Sequence, residues 1–153
     1  MLKDKERVFR LTLWGSFLLY TTSLFFSGYS TINSSEDNYG FLLVAFGWSE
    51  VFSDGSGYVW LANPLLWASW GYRKKIVRSF LFSALAVIIA SLFYFSSKVM
   101  PIGACGNWLE SYDCSPVEIT RINAGYYFWL FSCFIMALGN LLRMKINGSK
   151  KMY

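Results

Sequence analysis

The sequence predicts an all-α integral membrane protein: a bundle of four transmembrane helices, with an additional short interfacial or re-entrant helix before the second crossing. Composition, the length of the apolar segments and the placement of basic residues lead to this fold class. Of the 153 residues, 55% are hydrophobic and 20% aromatic, which exceeds the usual content of a water-soluble domain. Because apolar segments occupy most of the chain, we expect a single membrane domain over residues 1–153.

Three apolar stretches are long enough to cross the hydrocarbon core of a bilayer, which takes about 20 helical residues. They predict the first, third and fourth crossings at about residues 8–29, 76–97 and 122–143. Between the third and fourth crossings, residues 98–121 are expected to form an outer loop. Residues 144–153 are left as a cytoplasmic tail.

A fourth apolar stretch is interrupted. As a helix, residues 40–52 would extend only about 20 Å, which is too short for a bilayer. The Gly- and Ser-rich residues 53–57 that follow are typical of a turn. We therefore predict an outer-leaflet half-helix at 40–52, interfacial or re-entrant, and a second crossing at about 57–72. A continuous, strongly tilted helix is the alternative, and both readings keep four crossings.

The basic residues indicate which segment ends lie in the cytoplasm. Twelve of the fourteen fall into three clusters beside apolar segments, and juxtamembrane Lys and Arg favour the cytoplasmic side. The outer side then keeps two basic residues against seven acidic ones. Both termini are predicted to be cytoplasmic, with the lipid bilayer and not nucleic acid as the partner of these charges. The clusters are Lys3, Lys5, Arg7 and Arg10; Arg73, Lys74, Lys75 and Arg78; and Arg143, Lys145, Lys150 and Lys151.

Small residues recur at helical spacing in the third and fourth segments. Lipid supplies no hydrophobic drive between helices, so small side chains favour association by letting two backbones approach closely. We predict that both stripes are helix-packing faces; a substrate path is the alternative. Aromatic residues near the segment ends, such as Trp129, are typical of a membrane interface. The stripes are Ser79, Ser83, Ala86 and Ala90, and Gly125, Ser132 and Gly139.

The second crossing contains the most distinctive string, Trp60-Leu61-Ala62-Asn63-Pro64, followed by Trp67 and Trp70. Pro64 has no amide hydrogen, so a kink is expected there, and Asn63 could hydrogen-bond a neighbouring helix. The string resembles that of a group of small, uncharacterised bacterial inner-membrane proteins with Trp-x-Ala-Asn-Pro in a hydrophobic helix. The resemblance covers residues 60–70. It implies a location in the bacterial inner membrane and no particular activity.

Polar groups in and before the second crossing form a candidate intramembrane site. Ionisable groups within apolar segments are costly and therefore mark functional candidates. A cation or proton could be held where a broken helix exposes its backbone. The alternative is that the two carboxylates are hydrated at the outer headgroup level. The candidate residues are Glu50, Asp54, Asn63 and Pro64.

Two cysteines in the outer loop, Cys105 and Cys114, lie on the oxidising side of the predicted topology, which favours a disulfide. Closing a loop of about ten residues would stabilise the fold by roughly 2.5–3 kcal/mol on the entropy model. Thiol exchange with a partner is the alternative, although no C-x-x-C pair is present. Cys133, in the fourth segment, is expected to be a small buried apolar residue.

The chain contains no histidine, which excludes His-based acid–base catalysis and His-ligated metal. Nucleotide-binding and hydrolase motifs are absent too, so we predict no cofactor, no metal and no catalytic residue. The expected function is non-catalytic recognition of another membrane or periplasmic protein, as in an immunity protein, an accessory subunit or a defence-system component. An oligomeric ion channel or small transporter, built from several copies of the chain, is the first alternative. A thiol-redox membrane enzyme is the second.

Overall fold

A computed structural model describes residues 2–32, 38–51, 56–72, 74–99 and 116–148. The α-helices are α1 (Leu2–Leu24), α2 (Gly40–Phe46), α3 (Ala62–Gly71), α4 (Ile76–Leu92) and α5 (Ala124–Gly148). Short 3-10 helices cover Gly47–Glu50, Gly57–Leu61 and Phe93–Phe95. The strands are β1 (Ser27–Thr31), β2 (Asn38–Tyr39), β3 (Lys98–Val99) and β4 (Val117–Ile122).

The four strands form one antiparallel sheet in the order β2-β1-β4-β3. In its central pair, Tyr29 of β1 is opposite Ile122 of β4, and Thr31 is opposite Ile119. Strand β4 alternates apolar and polar residues along most of its length, as expected for a strand with one covered face. Its Glu118 and Thr120 are exposed, whereas Ile119 packs on the buried cluster that includes Tyr29. The sheet thus has one inward face and one polar outward face.

The prediction of an all-α bundle with four transmembrane helices is wrong. The sheet overturns the all-α class, since residues assigned to the first crossing and to the outer loop form strands. Among the described residues, only Ile76–Phe95 and Ala124–Ile146 are helices long and apolar enough to span a membrane. The described part of the chain therefore contains two such helices and not four.

The other two predicted crossings fall short for different reasons. Helix α1 ends at Leu24, and its first three turns carry the charged residues from Lys3 to Arg10, which leaves a short apolar part. The predicted second crossing divides into a 3-10 helix and the ten-residue α3. Pro64 lies in the first turn of α3, where a missing amide hydrogen is tolerated, so the expected mid-helix kink is replaced by a 3-10-to-α junction.

Helices α1 and α5 pack against each other in antiparallel directions. A side chain added at Gly139 would meet Thr12, and one at Gly125 would meet the carbonyl oxygens of Phe26 and Ser27 at 2.6 Å. The N-terminus of α1 and the C-terminus of α5 therefore lie together. The end of α3 and the start of α4 lie beside them, because Ser69 hydrogen-bonds both Ser79 of α4 and Asn140 of α5. We call this the basic end, because exposed Arg7, Arg10, Lys74, Lys75, Arg78 and Lys145 lie there, and the opposite end the sheet end.

The helices bury small polar side chains and expose large apolar ones. This distribution is the reverse of that in a water-soluble domain, where Leu, Ile and Phe are the residues most often buried. The buried polar residues of the helices include Ser16, Ser23, Asn63, Ser69, Ser79, Ser83, Ser132 and Asn140. The exposed apolar residues include Leu11, Trp14, Leu18, Val77, Leu81, Leu85, Ile88, Phe131, Phe134 and Leu138.

At the basic end, the buried polar groups form a hydrogen-bonded network that joins α3, α4 and α5. The hydroxyls of Ser69 and Ser79 each donate to the other residue's carbonyl oxygen, at 2.9 and 2.8 Å. Asn140 of α5 donates to the hydroxyls of Ser69 and Ser83 at 3.2 and 3.3 Å. Arg143 then donates to the Asn140 side-chain oxygen at 3.2 Å. These hydrogen bonds join α3, α4 and α5 through their buried polar side chains.

Candidate ligand site at the sheet end

A partly enclosed cavity of about 130 Å³ lies where the helices meet the sheet. Its walls come from the end of α1, β1, α2 with its 3-10 extension, the 3-10 helix Gly57–Leu61 with the start of α3, the 3-10 helix after α4, β3 and the start of α5. Aromatic and small residues predominate. The lining includes Ser23, Gly28, Tyr29, Gly40, Leu43, Val44, Gly47, Glu50, Ser56, Gly57, Val59, Trp60, Asn63, Phe93, Val99, Gly125, Tyr126 and Trp129.

Asn63 forms the floor of the cavity and joins three helices. Its side-chain oxygen accepts hydrogen bonds from the Trp129 indole nitrogen at 2.9 Å and from the Tyr20 hydroxyl at 3.3 Å. The residue is buried, with 4% of its surface exposed. Since Tyr20 lies in α1 and Trp129 in α5, this one amide fixes α3 against both neighbours. Pro64, the next residue, is not part of the lining described above.

The short helix α2 and its 3-10 extension form one wall. The Trp60 indole donates to the Val44 carbonyl oxygen at 3.1 Å, and Gly47 lies directly against the Trp60 ring. Gly57 lies against the backbone of Glu50 so closely that no side chain would fit between them. In one continuous helix these two residues would be about 10 Å apart. The two residues therefore do not belong to one continuous helix, and the 3-10 helix Gly47–Glu50 packs against the 3-10 helix Gly57–Leu61.

Glu50 lines this cavity, and its side-chain oxygen Oε1 accepts a hydrogen bond from the exposed Ser49 hydroxyl at 3.5 Å. Among the described residues of the lining it is the only one with a formal charge. Burial raises the pKa of Tyr29, opposite in the cavity, to about 12, and the negative charge of Glu50 contributes to the rise. The phenol of Tyr29 is therefore uncharged at neutral pH. The cavity combines a negative charge with neutral hydrogen-bonding groups.

Aromatic rings line the inner side of the cavity in a connected series. The ring centroids of Tyr29 and Phe93 are 5.5 Å apart, those of Phe93 and Tyr126 are 5.4 Å apart, and those of Tyr126 and Trp129 are 6.1 Å apart. The Tyr126 hydroxyl donates to the Ala90 carbonyl oxygen at 3.1 Å, which holds this ring against α4. Trp60 adds a fifth ring from the opposite wall.

Both small-residue stripes lie in the interior. Ser79, Ser83, Ala86 and Ala90 are the buried residues of α4. In α5, Gly125, Ser132 and Gly139 are buried, and the two glycines provide the close approach to the α1 side. Gly125 also lines the cavity, so one stripe contributes both to packing and to the candidate site.

The structure brings two of the four predicted polar-site residues, Glu50 and Asn63, into one cavity. Asp54 lies outside the described residues, as do Cys105 and Cys114, so the predicted disulfide stays a prediction. Cys133 is buried in the helical core as a free thiol. Within the parts of the chain that the structure describes, no three His, Cys, Asp or Glu residues are grouped so as to hold a metal ion.

Sequence reasoning missed Tyr29, Phe93, Tyr126 and Trp129 as cavity residues. Trp129 was expected at a membrane interface, yet its indole reaches the buried Asn63. The glycines that line the cavity were a usable signal, because close backbone approach often requires glycine. No protein-family model, no curated protein and no solved structure matches this chain.

Proposed function

We propose that the chain is an integral protein of a bacterial inner membrane, with both termini and the basic end in the cytoplasm and the sheet on the outer side. The inverted burial supports a lipid environment, because exposed Leu, Ile and Phe side chains are stable in hydrocarbon and costly in water. The basic residues support the orientation, since described members of all three clusters lie at the same end. Among the residues that the structure describes, the helices long and apolar enough to cross are Ile76–Phe95 and Ala124–Ile146.

Within that setting, we propose that the protein acts by binding a small molecule in the cavity at the sheet end, as a small transporter or a ligand-dependent membrane component does. The cavity itself is the observation that carries this proposal. It joins a carboxylate and a buried amide with an apolar aromatic wall, the combination typical of small-molecule sites. Glu50, Asn63 and the aromatic residues of the wall come from six different helices and strands.

The test fills the cavity by mutation. Val59 is 6% exposed and lines the cavity, whereas Val77 is 57% exposed on the outer surface of α4. Purified Val59→Phe and Val77→Phe proteins in detergent are titrated with choline and with its uncharged isostere 3,3-dimethyl-1-butanol, while tryptophan fluorescence is followed. Trp60 and Trp129 serve as reporters because both line the cavity. We expect saturable binding to the wild type and Val77→Phe, and none to Val59→Phe. Absence of saturable binding to the wild type would reject the proposal.

Recognition of a partner protein is the second candidate, and the outward face of the sheet favours it. Lys98 and Glu118 are exposed and directly opposite each other in neighbouring strands, so this face carries one positive and one negative residue side by side. The pair occurs in the strands that flank the rest of the predicted outer loop. Chemical crosslinking in native membranes tests it: a partner band that disappears in Glu118→Lys and returns in Lys98→Glu plus Glu118→Lys would support recognition, and no band in the wild type would count against it.

A further inference from the structure

We propose that the ligand of this cavity is a small neutral molecule with an apolar body and a carbonyl oxygen, and that the side-chain amide of Asn63 donates a hydrogen bond to this oxygen. This inference rests on the proposed ligand-binding function and names the chemical class that the site selects.

The hydrogen bonds of Asn63 fix the orientation of its side-chain amide. The indole nitrogen of Trp129 can only donate, so the Asn63 atom 2.9 Å from it is the oxygen Oδ1. The Tyr20 hydroxyl donates to the same oxygen at 3.3 Å. These two donors use both lone pairs of Oδ1. The nitrogen Nδ2, on the other branch of the amide, carries two hydrogens that neither Tyr20 nor Trp129 can accept in this arrangement.

The amide nitrogen is the unused half of this side chain. Nδ2 donates no hydrogen bond to any residue that the structure describes. Asn63 is 4% exposed and lines the cavity, and its Nδ2 is not among the unpaired polar atoms that the protein encloses completely. The open side of this atom therefore faces the cavity. An amide donor without an acceptor in an apolar interior is costly, so the site selects a ligand with an acceptor at this point.

The rest of the wall selects a neutral, apolar body. Leu43, Val59 and the connected rings from Phe93 to Trp129 make the lining largely apolar. A charged ligand would lose its hydration in this space, which costs far more than the burial of a neutral group. We assign no ligand contact to the Glu50 carboxylate, because it is hydrogen-bonded to an exposed serine hydroxyl.

The size of the ligand follows from the volume. The cavity measures about 130 Å³, slightly less than the roughly 150 Å³ apolar cavity that holds benzene. It thus accommodates a group of about six non-hydrogen atoms. A carbonyl on an apolar body of this size occurs in free small ketones and esters, and also in the ester groups that join lipid chains to glycerol. Both sources present the acceptor that Nδ2 requires.

The first experiment separates the acceptor from the shape. Cyclopentanone and methylenecyclopentane have the same size and nearly the same shape, but only the ketone accepts a hydrogen bond. A cavity without a donor would rank them as partition from water into cyclohexane does, because that solvent forms no hydrogen bonds. Both are titrated into wild-type protein in detergent, with the fluorescence of Trp60 and Trp129 as the readout. Relative to methylenecyclopentane, we expect cyclopentanone to bind roughly tenfold more tightly than cyclohexane partition predicts.

Two asparagine variants assign this preference to its donor. Asn63→Leu removes the amide, so the two probes should then bind in the ratio that cyclohexane partition predicts. Asn123→Leu is the matched control, because Asn123 is not part of the described lining, and it should keep the wild-type ratio. A purely structural role of Asn63 would lower the affinity for both probes equally. An unchanged ratio in Asn63→Leu would therefore overturn the assignment to this amide.

The outcomes distinguish this inference from the function on which it rests. Wild-type affinities in the ratio of cyclohexane partition would overturn the carbonyl inference and leave small-molecule binding standing. This comparison needs only wild-type protein, so it decides the matter even if Asn63→Leu fails to fold. Binding of neither these probes nor choline nor 3,3-dimethyl-1-butanol would remove both.

Charge is tested separately with choline and 3,3-dimethyl-1-butanol, which have nearly the same shape. We expect the wild type to bind the neutral alcohol roughly tenfold more tightly or better, because choline must lose the hydration of its charge. Equal or tighter binding of choline would overturn the neutrality of the ligand.

The last experiment identifies the source of the carbonyl group. Cyclopentanone affinity is measured for protein reconstituted in vesicles of phosphatidylglycerol with ester-linked chains and, separately, with ether-linked chains, which lack the carbonyl groups. If the cavity holds a lipid carbonyl, the ester-linked lipid should compete and reduce the apparent cyclopentanone affinity severalfold. Equal affinity in the two vesicles would assign the site to free molecules. Failure of cyclopentanone to bind in either vesicle would contradict the carbonyl site.

Discussion

The two ends of the helical assembly treat their polar interiors in opposite ways. At the basic end, Ser69, Ser79, Ser83 and Asn140 hydrogen-bond one another across three helices, and their small side chains fill the space between the backbones. At the sheet end, the polar groups project toward a cavity of about 130 Å³, and large rings surround it. The first interior is a hydrogen-bonded network, and the second contains a largely apolar cavity.

At the basic end, buried polar side chains stabilise the packing of helices, whereas at the sheet end we propose that they contribute to a ligand site. Hydrogen bonds between helices in a membrane contribute modestly, about 0.6 kcal/mol each on average, so a filled network stabilises by several small terms. A cavity removes packing contacts, and we propose that a ligand supplies such contacts here. Asn63 lies between the two regions, and its side-chain oxygen has two donors.

Asn63→Leu should give the largest loss of stability. The substitution leaves the Tyr20 hydroxyl and the Trp129 indole without their acceptor, at about 1.5 kcal/mol for each buried donor, or about 3 kcal/mol in unfolding free energy. Thermal unfolding in detergent, followed by circular dichroism, measures it. Asn123→Leu is the control, because Asn123 donates to two serine hydroxyls outside the helices, where water can replace it. An equal loss in both variants would contradict the central role of Asn63.

Alkaline pH should weaken the sheet end through Tyr29. Burial, aided by the charge of Glu50, raises its pKa from 10.0 to about 12. Between these values the folded state keeps a proton that the unfolded state has lost, so stability falls as pH rises from 10 to 12, by roughly 2–3 kcal/mol at the upper limit. Tyr29→Phe lacks this proton and should lose less over the same interval. Parallel pH curves for the two proteins, measured by thermal unfolding, would refute the assignment.

Gly139→Ala should push α1 and α5 apart at the basic end. The new methyl group would overlap the Thr12 side chain, and overpacking of this kind costs about 2 kcal/mol. Gly71→Ala is the matched control, because no atom lies within 4 Å of a side chain added there. The melting temperature of each variant provides the comparison. Similar values would mean that the α1–α5 contact is looser than the structure indicates.

Ser79→Ala should have the smallest effect, about 0.6 kcal/mol, because it removes one hydrogen bond, from the Ser79 hydroxyl to the Ser69 carbonyl oxygen, of the modest strength seen between membrane helices. The same melting experiment measures it, and binding of 3,3-dimethyl-1-butanol at the sheet end should be unchanged. A loss of more than about 3 kcal/mol would indicate that the basic-end network stabilises cooperatively.

The sequence was sufficient for local, periodic features. The α4 stripe from Ser79 to Ala90 could be predicted because one helix face determines burial along its length. Strand β4 was wrongly assigned to a loop because it lies between two apolar segments. The alternation of Glu118 and Thr120 with Val117 and Ile119 is a local signal that favours a strand. A long apolar helix on each side is compatible with either a loop or a sheet.

Features assembled from distant segments were beyond prediction. The cavity depends on Tyr29 in β1 and on Trp129 in α5, residues that no local pattern connects. Two features shorten the first predicted crossing. Charged residues occupy the start of α1, and Ser27–Thr31 pairs with β4 instead of continuing the helix. Pairing partners 90 residues away leave no trace in helical periodicity.

The sidedness of the two ends is the claim on which the membrane assignment and the outer ligand site both depend, and cysteine labelling tests it most directly. Thr120 at the sheet end and Lys74 at the basic end are both exposed. Thr120→Cys and Lys74→Cys are made separately in protein whose Cys105 and Cys114 are replaced by serine, and intact cells are treated with a membrane-impermeant maleimide. We expect Thr120→Cys to be labelled at once and Lys74→Cys only after the membrane is opened. Labelling of Lys74→Cys in intact cells, or recovery of the protein in the soluble fraction, would contradict the proposed topology.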